Sequence, residues 1–120
     1  MKYLCIVHLD YAVFSAMSPD EIAMLERSNL AYDTELGERH QLIAGHGLEP
    51  PESGLIVKVR NSEVSMTDGP FSEAKEQMGG FILIDAIDRA EAIEIAAGIP
   101  LARLGTIEVR PIYEIPDPNC

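Results

Sequence analysis

Near the start of the chain lies the run Tyr3-Leu4-Cys5-Ile6-Val7-His8-Leu9, which predicts a central strand of the fold. Continuous apolar runs of this length are typical of strands that are covered on both faces. Because side chains alternate along a strand, His8 is predicted to point away from the face of Cys5 and Val7. A second run, Phe81-Ile82-Leu83-Ile84, has the same character. The two runs together predict a sheet that needs a covering layer on each side.

Two helices are signalled by their first turns. Ser18-Pro19-Asp20-Glu21 combines a capping box with proline at the first helical position, and apolar residues follow at helical spacing as far as Leu36. The segment between the first strand and Ser18 is predicted to be a loop. A second capping pattern runs from Asp88 to Glu91 and opens the Ala/Ile helix Ala90–Ala97, with Ile93 expected to face the sheet.

The other strands are shorter. Leu42–Ala44 predicts a second strand, and Thr106–Tyr113 predicts the last one. Between them, Leu55–Arg60 and Glu63–Thr67 alternate around the turn Asn61-Ser62 and predict a hairpin. Its register can set Val57 and Val59 against Val64 and Met66.

The order of elements predicts an α+β, ferredoxin-like fold: two βαβ halves with an inserted β-hairpin. Right-handed crossovers put both helices on one face of the sheet. The other face is too apolar to stay exposed, so a second copy is expected to cover it and form a dimeric α+β barrel. We predict a single domain over residues 1–115, a loose tail over 116–120, and a homodimer.

Composition narrows the possible functions. The 120 residues hold 9 Lys and Arg against 20 Asp and Glu, a formal net charge of −11. A basic face is needed to bind nucleic acid or an anionic membrane, so neither is expected as a partner. A membrane-spanning helix needs about 18 consecutive apolar residues, and no apolar run in the sequence is that long. The opening segment lacks the features of a signal peptide, which predicts a cytoplasmic protein.

Metal and cofactor signals are weak. Cys5 and Cys120 form no CxxC motif, and no HExxH or Cys/His cluster occurs. A metal site would have to draw on distant residues such as His8, His46 and Glu49, so no metal is predicted. Nucleotide-binding glycine motifs are also missing, and no cofactor is expected.

The turn Asp68-Gly69-Pro70 has two interpretations. In the structural one, the Asp68 carboxylate accepts nearby backbone N–H groups, and Gly69 and Pro70 shape the turn. In the functional one, Asp68 stands at the mouth of a cleft as an acid, a base or a ligand anchor. Burial or a neighbouring anion would then have to raise the pKa of a carboxyl used as a base.

Charged residues follow this turn. If Glu73–Glu76 forms a helical turn, Glu73 and Glu76 share one face, and two close carboxylates suit general acid–base chemistry. Lys75 could bind an anionic ligand. The alternative is a solvated charged turn without a function. His46 lies between two glycines, where a backbone can approach a ligand closely.

The segment Thr67–Phe81, TDGPFSEAKEQMGGF, resembles the signature of the DGPF proteins of the YCII-related superfamily. Further agreement comes from the opening MKYL strand, the S-P-x-E helix start, G-x-G-L-x-P, and Ile107–Pro111. The resemblance covers nearly the whole chain. It implies a ferredoxin-like α+β barrel that is usually dimeric.

The resemblance implies less about activity. Some YCII-like proteins are associated with dehalogenating or lyase-type steps, and DGPF proteins tend to be encoded beside extracytoplasmic-function sigma factors. Relatives with proposed chemistry carry a His on the first helix and an Asp near the last helix-to-strand connection. Here the helix Pro19–Leu36 has no His, and the connection Ile99-Pro100-Leu101 has no Asp.

The function predicted from these patterns is binding of a small organic metabolite, with an anion as one option, in the cleft of a homodimer. A lyase- or dehalogenase-type step is a further option, with Asp68 and Glu76 as catalytic residues. His46, Phe71, Glu73 and Lys75 complete the site as ligand-binding residues. The alternative is a non-enzymatic regulatory protein, such as a partner in a sigma factor system.

Overall fold

The computed structural model describes residues 1–116 as an α+β chain with two antiparallel sheets and three α-helices. The strands are β1 (Lys2–Leu9), β2 (Leu42–Gly47), β3 (Leu55–Arg60), β4 (Glu63–Asp68), β5 (Gln77–Asp85) and β6 (Thr106–Pro111). The helices are α1 (Tyr11–Ser15), α2 (Pro19–Glu38) and α3 (Arg89–Gly98). The predicted loose tail, apart from its first residue, lies outside the described residues.

The main sheet has four strands in the order β2-β5-β1-β6, and all neighbours are antiparallel. The apolar run that opens the chain becomes β1, one of the two central strands. Cys5 pairs with Ile82 on one side and with Val109 on the other. The two runs that were predicted to be covered on both faces are therefore neighbours in the centre of the sheet.

The hydrophobic core lies on one face of this sheet. Tyr3 and Cys5 of β1 and Ile82 and Ile84 of β5 are buried there. The helices supply the rest of the cluster: Leu36 from α2 and Ala92, Ile95 and Ala96 from α3. Both helices therefore pack on the same face of the sheet, as the element order predicts.

The buried face of α3 differs from the predicted one. Ile93 is 51% exposed, and Ala90 and Ala97 are exposed as well. Ile95 is 4% exposed and meets the core instead. Because apolar residues occur all around α3, their periodicity does not select a face, and packing against the sheet does.

The predicted helix starts are confirmed. The Ser18 hydroxyl accepts from the Glu21 N–H at 3.1 Å, and the Glu21 carboxylate accepts from the Ser18 N–H at 3.2 Å. The Asp88 carboxylate accepts from the Glu91 N–H at 2.9 Å. In the segment predicted to be a loop, Asp10 accepts from the Ala12 N–H and caps the short helix α1.

The hairpin forms an arm that is separate from the main sheet, and we call residues 55–68 the arm. Val57 pairs with Met66 and Val59 with Val64, as predicted. All four side chains are more than half exposed, because no other element of the described chain covers this face. The chain is correspondingly wide and thin, 53 × 46 × 19 Å.

The face of the main sheet opposite the helices carries Leu4, Ile6 and His8 of β1 and Phe81 and Leu83 of β5, and we call it the open face. Across residues 1–116 the strands form two open sheets and no closed barrel, so a barrel would require a second copy. None of the helices in this part of the chain is long and apolar enough to cross a membrane.

Candidate functional site

One cavity within residues 1–116, here called the main cavity, has a volume of about 1000 Å³. It lies where β1 ends, beside the chain that leads from β2 to β3 and the segment that leads into β5. Its apolar walls come from Leu48, Leu55, Ile56, Phe71 and Met78. Its polar side chains come from His8, Glu49, Ser53, Ser72, Glu76 and Gln77. An apolar pocket with a few converging polar groups is the usual form of a small-molecule site.

Two of the six predicted site residues, Phe71 and Glu76, line the main cavity. Both belong to the segment between the arm and β5. The amide of Gln77 donates to the backbone oxygens of Ser72 and Ala74 at 2.6 and 2.8 Å. These bonds fold the segment into an irregular loop. Glu73–Glu76 is consequently not a helical turn, and the predicted pairing of Glu73 with Glu76 on one helical face is wrong.

Glu73 and Lys75 line a smaller hollow of about 310 Å³, here called the neighbouring hollow. The Lys75 Nζ lies 3.7 Å from Asp10 Oδ2, while the Lys75 side chain remains 85% exposed. Ser72, Ala74 and Gln77 line both spaces, so the hollow adjoins the main cavity. The segment between the arm and β5 thus lines two adjacent spaces.

Asp68 ends β4 and is exposed, and it does not line the main cavity. It pairs with Leu55 across the arm, and Leu55 does line the main cavity. Side chains of directly paired residues share a face, so Asp68 stands next to the cavity rim. Within residues 1–116 its carboxylate accepts no hydrogen bond.

His46 belongs to a second cavity of about 300 Å³, between α2, the edge of the main sheet and the connection after α3. The His46 ring itself lies on the open face, because His46 pairs with Phe81, and the two rings meet there edge to face with centroids 5.9 Å apart. Gly45, Gly79 and Gly80 also line this space. A Cβ at Gly79 would collide with the Leu9 side chain, and one at Gly80 with the His46 backbone oxygen, so close packing requires glycine at both positions.

The first long helix and the connection after α3, where the family resemblance implies a His and an Asp, meet at this second cavity. Asn29, Tyr32 and Asp33 of α2 line this cavity, and so does Leu101 of the connection after α3. Burial raises the pKa of the Asp33 carboxyl. Burial is also the main cause that raises the pKa of Tyr32, and the nearby Glu35 carboxylate adds to it. No sequence pattern marks Asp33 as a site residue, since an acidic residue on an amphipathic helix is usually solvated.

The three distant residues that were considered for a metal site do not come together in the structure. His8 and Glu49 line the main cavity, whereas His46 lines the second cavity. Over the described residues 1–116, no group of three or more His, Cys, Asp or Glu side chains is suited to hold a metal ion.

A histidine–carboxylate pair is the feature that sequence reasoning missed. His8 Nε2 lies 2.9 Å from Glu108 Oε1, and Arg110 Nε lies 3.8 Å from the other oxygen of Glu108. As predicted, His8 points away from the face of Cys5 and Val7. Its partner is 100 residues away along the chain, so only the pairing of β1 with β6 could have revealed it.

The family model of the YCII-related domain matches residues 1–116 of the chain. The chain belongs to the YCII-related family. Among YCII-related relatives, an uncharacterised protein of Rhizobium meliloti (strain 1021) is 32% identical over 114 residues, which cover 93% of this chain and 92% of the relative. The match includes the segments that line all three spaces.

Proposed function

We propose that this YCII-related chain binds a small organic molecule in its main cavity. The observation that carries the proposal is the combination of size and lining: about 1000 Å³, with apolar walls and with His8, Glu49 and Glu76 among the polar residues of the lining. A flat charged surface, by contrast, would have favoured a purely protein-binding role.

The lining charges favour a neutral or cationic ligand. Glu49 and Glu76 are acidic, and no Lys or Arg of residues 1–116 lines the main cavity. The expectation of an anion depended on Lys75, which lies in the neighbouring hollow beside Asp10. A carboxylate or phosphate in the main cavity would face uncompensated like charge.

The predicted residues take different parts in this proposal. Phe71 contacts the apolar body of the ligand, and Glu76 attracts its positive or hydrogen-bond-donating group. Asp68 adds negative charge at the rim, beside Leu55. Glu73 and Lys75 act from the neighbouring hollow, and His46 belongs to the second cavity.

We also propose that the functional unit is a homodimer with a ferredoxin-like core. The strands of the main sheet and their two helices form two β-α-β halves, and the open face of the sheet carries the partly exposed Leu4 and Leu83 beside the buried Ile6. An isolated two-stranded hairpin is marginally stable in water, yet the arm exposes Val57, Val64 and Met66. A second copy that covers the open face and the arm would bury both surfaces and complete an α+β barrel.

Catalysis of a lyase- or dehalogenase-type step is an extension of this proposal that rests on the family resemblance. The alternative function is a regulatory one, with the arm binding a different protein, such as a component of a sigma factor system. The exposed apolar face of the arm favours protein contact of some kind, and we assign that contact to a second copy of this chain.

The binding proposal is tested with two fluorescent probes, neutral 2-naphthol and cationic 1-naphthylmethylamine. We expect both to gain fluorescence anisotropy with the protein. Phe71→Ala should weaken both, and Glu76→Gln should weaken mainly the cation by about three- to tenfold, the effect of one partly screened charge. Asp68→Asn should weaken the cation less, because it lies at the rim.

The matched control for Glu76→Gln is Glu63→Gln, which removes the same charge from the exposed outer half of the arm. Equal effects of the two variants, or probes that do not bind, would contradict ligand binding in the main cavity.

A further inference from the structure

The pair of His8 and Glu108 lies on the open face of the main sheet, and His8 reaches into the main cavity. The His8 side chain is 28% exposed and that of Glu108 is 45% exposed. An exposed pair of this kind contributes little to stability. Its position beside a cavity therefore calls for a different explanation.

The strand geometry at His8 is irregular. The register between β1 and β5 shifts between Val7 and His8: Val7 pairs with Gly80, and His8 pairs with Met78. Gly79 is left over opposite this step. Such bulges re-aim side chains and are frequent next to active sites. Gln77 and Met78, which precede the bulge on β5, both line the main cavity with His8.

The chemistry of the pair follows from its contacts. An ionised carboxylate only accepts hydrogen bonds, so the Nε2 that faces Glu108 carries the hydrogen when the ring is neutral. Nδ1 is then a free acceptor, and no group of residues 1–116 donates to it. The Arg110 Nε lies 3.8 Å from the other Glu108 oxygen and adds a positive charge beside the carboxylate. A base oriented by a third group is the arrangement used for proton transfer.

We propose that His8, positioned by Glu108, is the proton-accepting group of the main cavity. The inference rests on the proposed ligand binding there. The ligand class is a neutral molecule with an apolar body and a weakly acidic O–H or C–H group, such as a phenol or an enolisable ketone.

In the step, the ligand O–H or C–H bond breaks and its electron pair stays on the ligand. The proton forms a new N–H bond at Nδ1, and the resulting imidazolium is balanced by the Glu108 carboxylate. Return of the proton to the same or a neighbouring ligand atom restores the neutral ring. The other charged groups near the ring are Arg110 on β6 and, across the cavity, Glu49 and Glu76.

The test uses 2-naphthol, whose excited state releases its proton and whose neutral and deprotonated forms emit at different wavelengths. Protein is kept in excess so that the bound dye dominates the signal. In the wild type at pH 7.5, bound dye should emit mainly as naphtholate. In His8→Gln the ratio of naphtholate to naphthol emission should fall about tenfold, the equilibrium effect of losing one hydrogen bond to a charged group.

Glu108→Gln separates positioning from structure. This variant should bind the dye with unchanged affinity and yet lower the emission ratio, which a merely structural role would not do. His40→Asn is the matched control, because His40 is exposed and lines none of the spaces described. Glu76→Gln tests whether a carboxylate accepts the proton instead. Circular dichroism checks that each variant is folded. If His8→Gln does not fold, Glu108→Gln provides the test.

The outcomes are distinct. Dye anisotropy that does not rise with wild-type protein overturns the proposed ligand binding, and this inference with it. Bound dye with the same emission ratio in the wild type, His8→Gln and Glu108→Gln overturns only the role of His8. A ratio that falls in Glu76→Gln and not in His8→Gln assigns the proton to the carboxylate and likewise overturns it.

Discussion

The Tyr32 hydroxyl donates to the backbone oxygen of Ile95 at 2.6 Å, and this bond joins α2 to the last turn of α3. The Ile99 N–H, which would normally serve that oxygen, donates to Ala96 instead. Tyr32 therefore satisfies a carbonyl that has no helical donor. Tyr32→Phe should lower the free energy of unfolding by about 1 kcal/mol in urea denaturation. An unchanged value would mean that water replaces the hydroxyl without loss.

Gly98 leaves room for the same tyrosine. A Cβ at residue 98 would collide with the Tyr32 hydroxyl and ring, whereas a Cβ at Gly37 would meet nothing within 4 Å. Gly98→Ala should therefore destabilise the chain. The matched substitution Gly37→Ala, in α2, should stabilise it by about 0.5–1 kcal/mol through helix propensity and unfolded-chain entropy. Equal shifts of the two denaturation midpoints would contradict this packing.

The buried face of α3 can be tested with two isoleucines. Ile95 is 4% exposed in the core, and Ile93 is 51% exposed on the other side of the same helix. Ile95→Ala should cost about 2–5 kcal/mol through lost burial and the cavity that remains. Ile93→Ala, with the same chemical change, should cost much less. If Ile93→Ala lowered the free energy of unfolding more than Ile95→Ala, the face predicted from the sequence would be the buried one.

Because the thiol of Cys5 is buried in the core, the free energy of unfolding should depend on pH in the alkaline range. Burial raises the pKa of Cys5 from 9.0 to about 11. The unfolded chain therefore loses this proton first, so the free energy of unfolding should fall as pH rises from 9 towards 11. The loss from this group should reach about 3 kcal/mol. Cys5→Ala should remove that part of the slope, and identical slopes in the two proteins would contradict it.

The apolar face of the arm is expected to form the dimer interface. Light scattering should report about twice the chain mass of 13.2 kDa for the wild type. Val57→Glu puts a charge on the apolar face of the arm and should shift the protein towards one chain mass. Ser65→Glu adds the same charge on the opposite face, across from Lys58, and should leave the dimer intact. A dimer that survives Val57→Glu would exclude the arm as its interface.

Much of the local structure could be predicted because it depends on near neighbours. The Ser18 and Asp88 caps involve groups three residues apart. The hairpin register follows from the alternation on both sides of a two-residue turn. The short helix α1 was missed although Asp10 caps it, because five residues carry too little periodicity to predict a helix.

The candidate site was harder to predict. Of the residues predicted for a site, Phe71 and Glu76 line the main cavity and Asp68 stands beside its rim. The sequence could not indicate that the Gln77 amide folds the segment between the arm and β5 into a loop and turns Glu73 and Lys75 towards another space.

The strands, the starts of α2 and α3 and the hairpin can be predicted from local sequence, because side-chain alternation and capping act over a few residues. The buried face of α3 and the partner of His8 depend instead on contacts between distant parts of the chain. Ile93 and Ile95 are equally apolar, so contact with the sheet had to choose between them. His8 and Glu108 stand 100 residues apart, and their meeting depends on the register of β1 against β6. That register is set by packing of the whole core, to which distant segments contribute together.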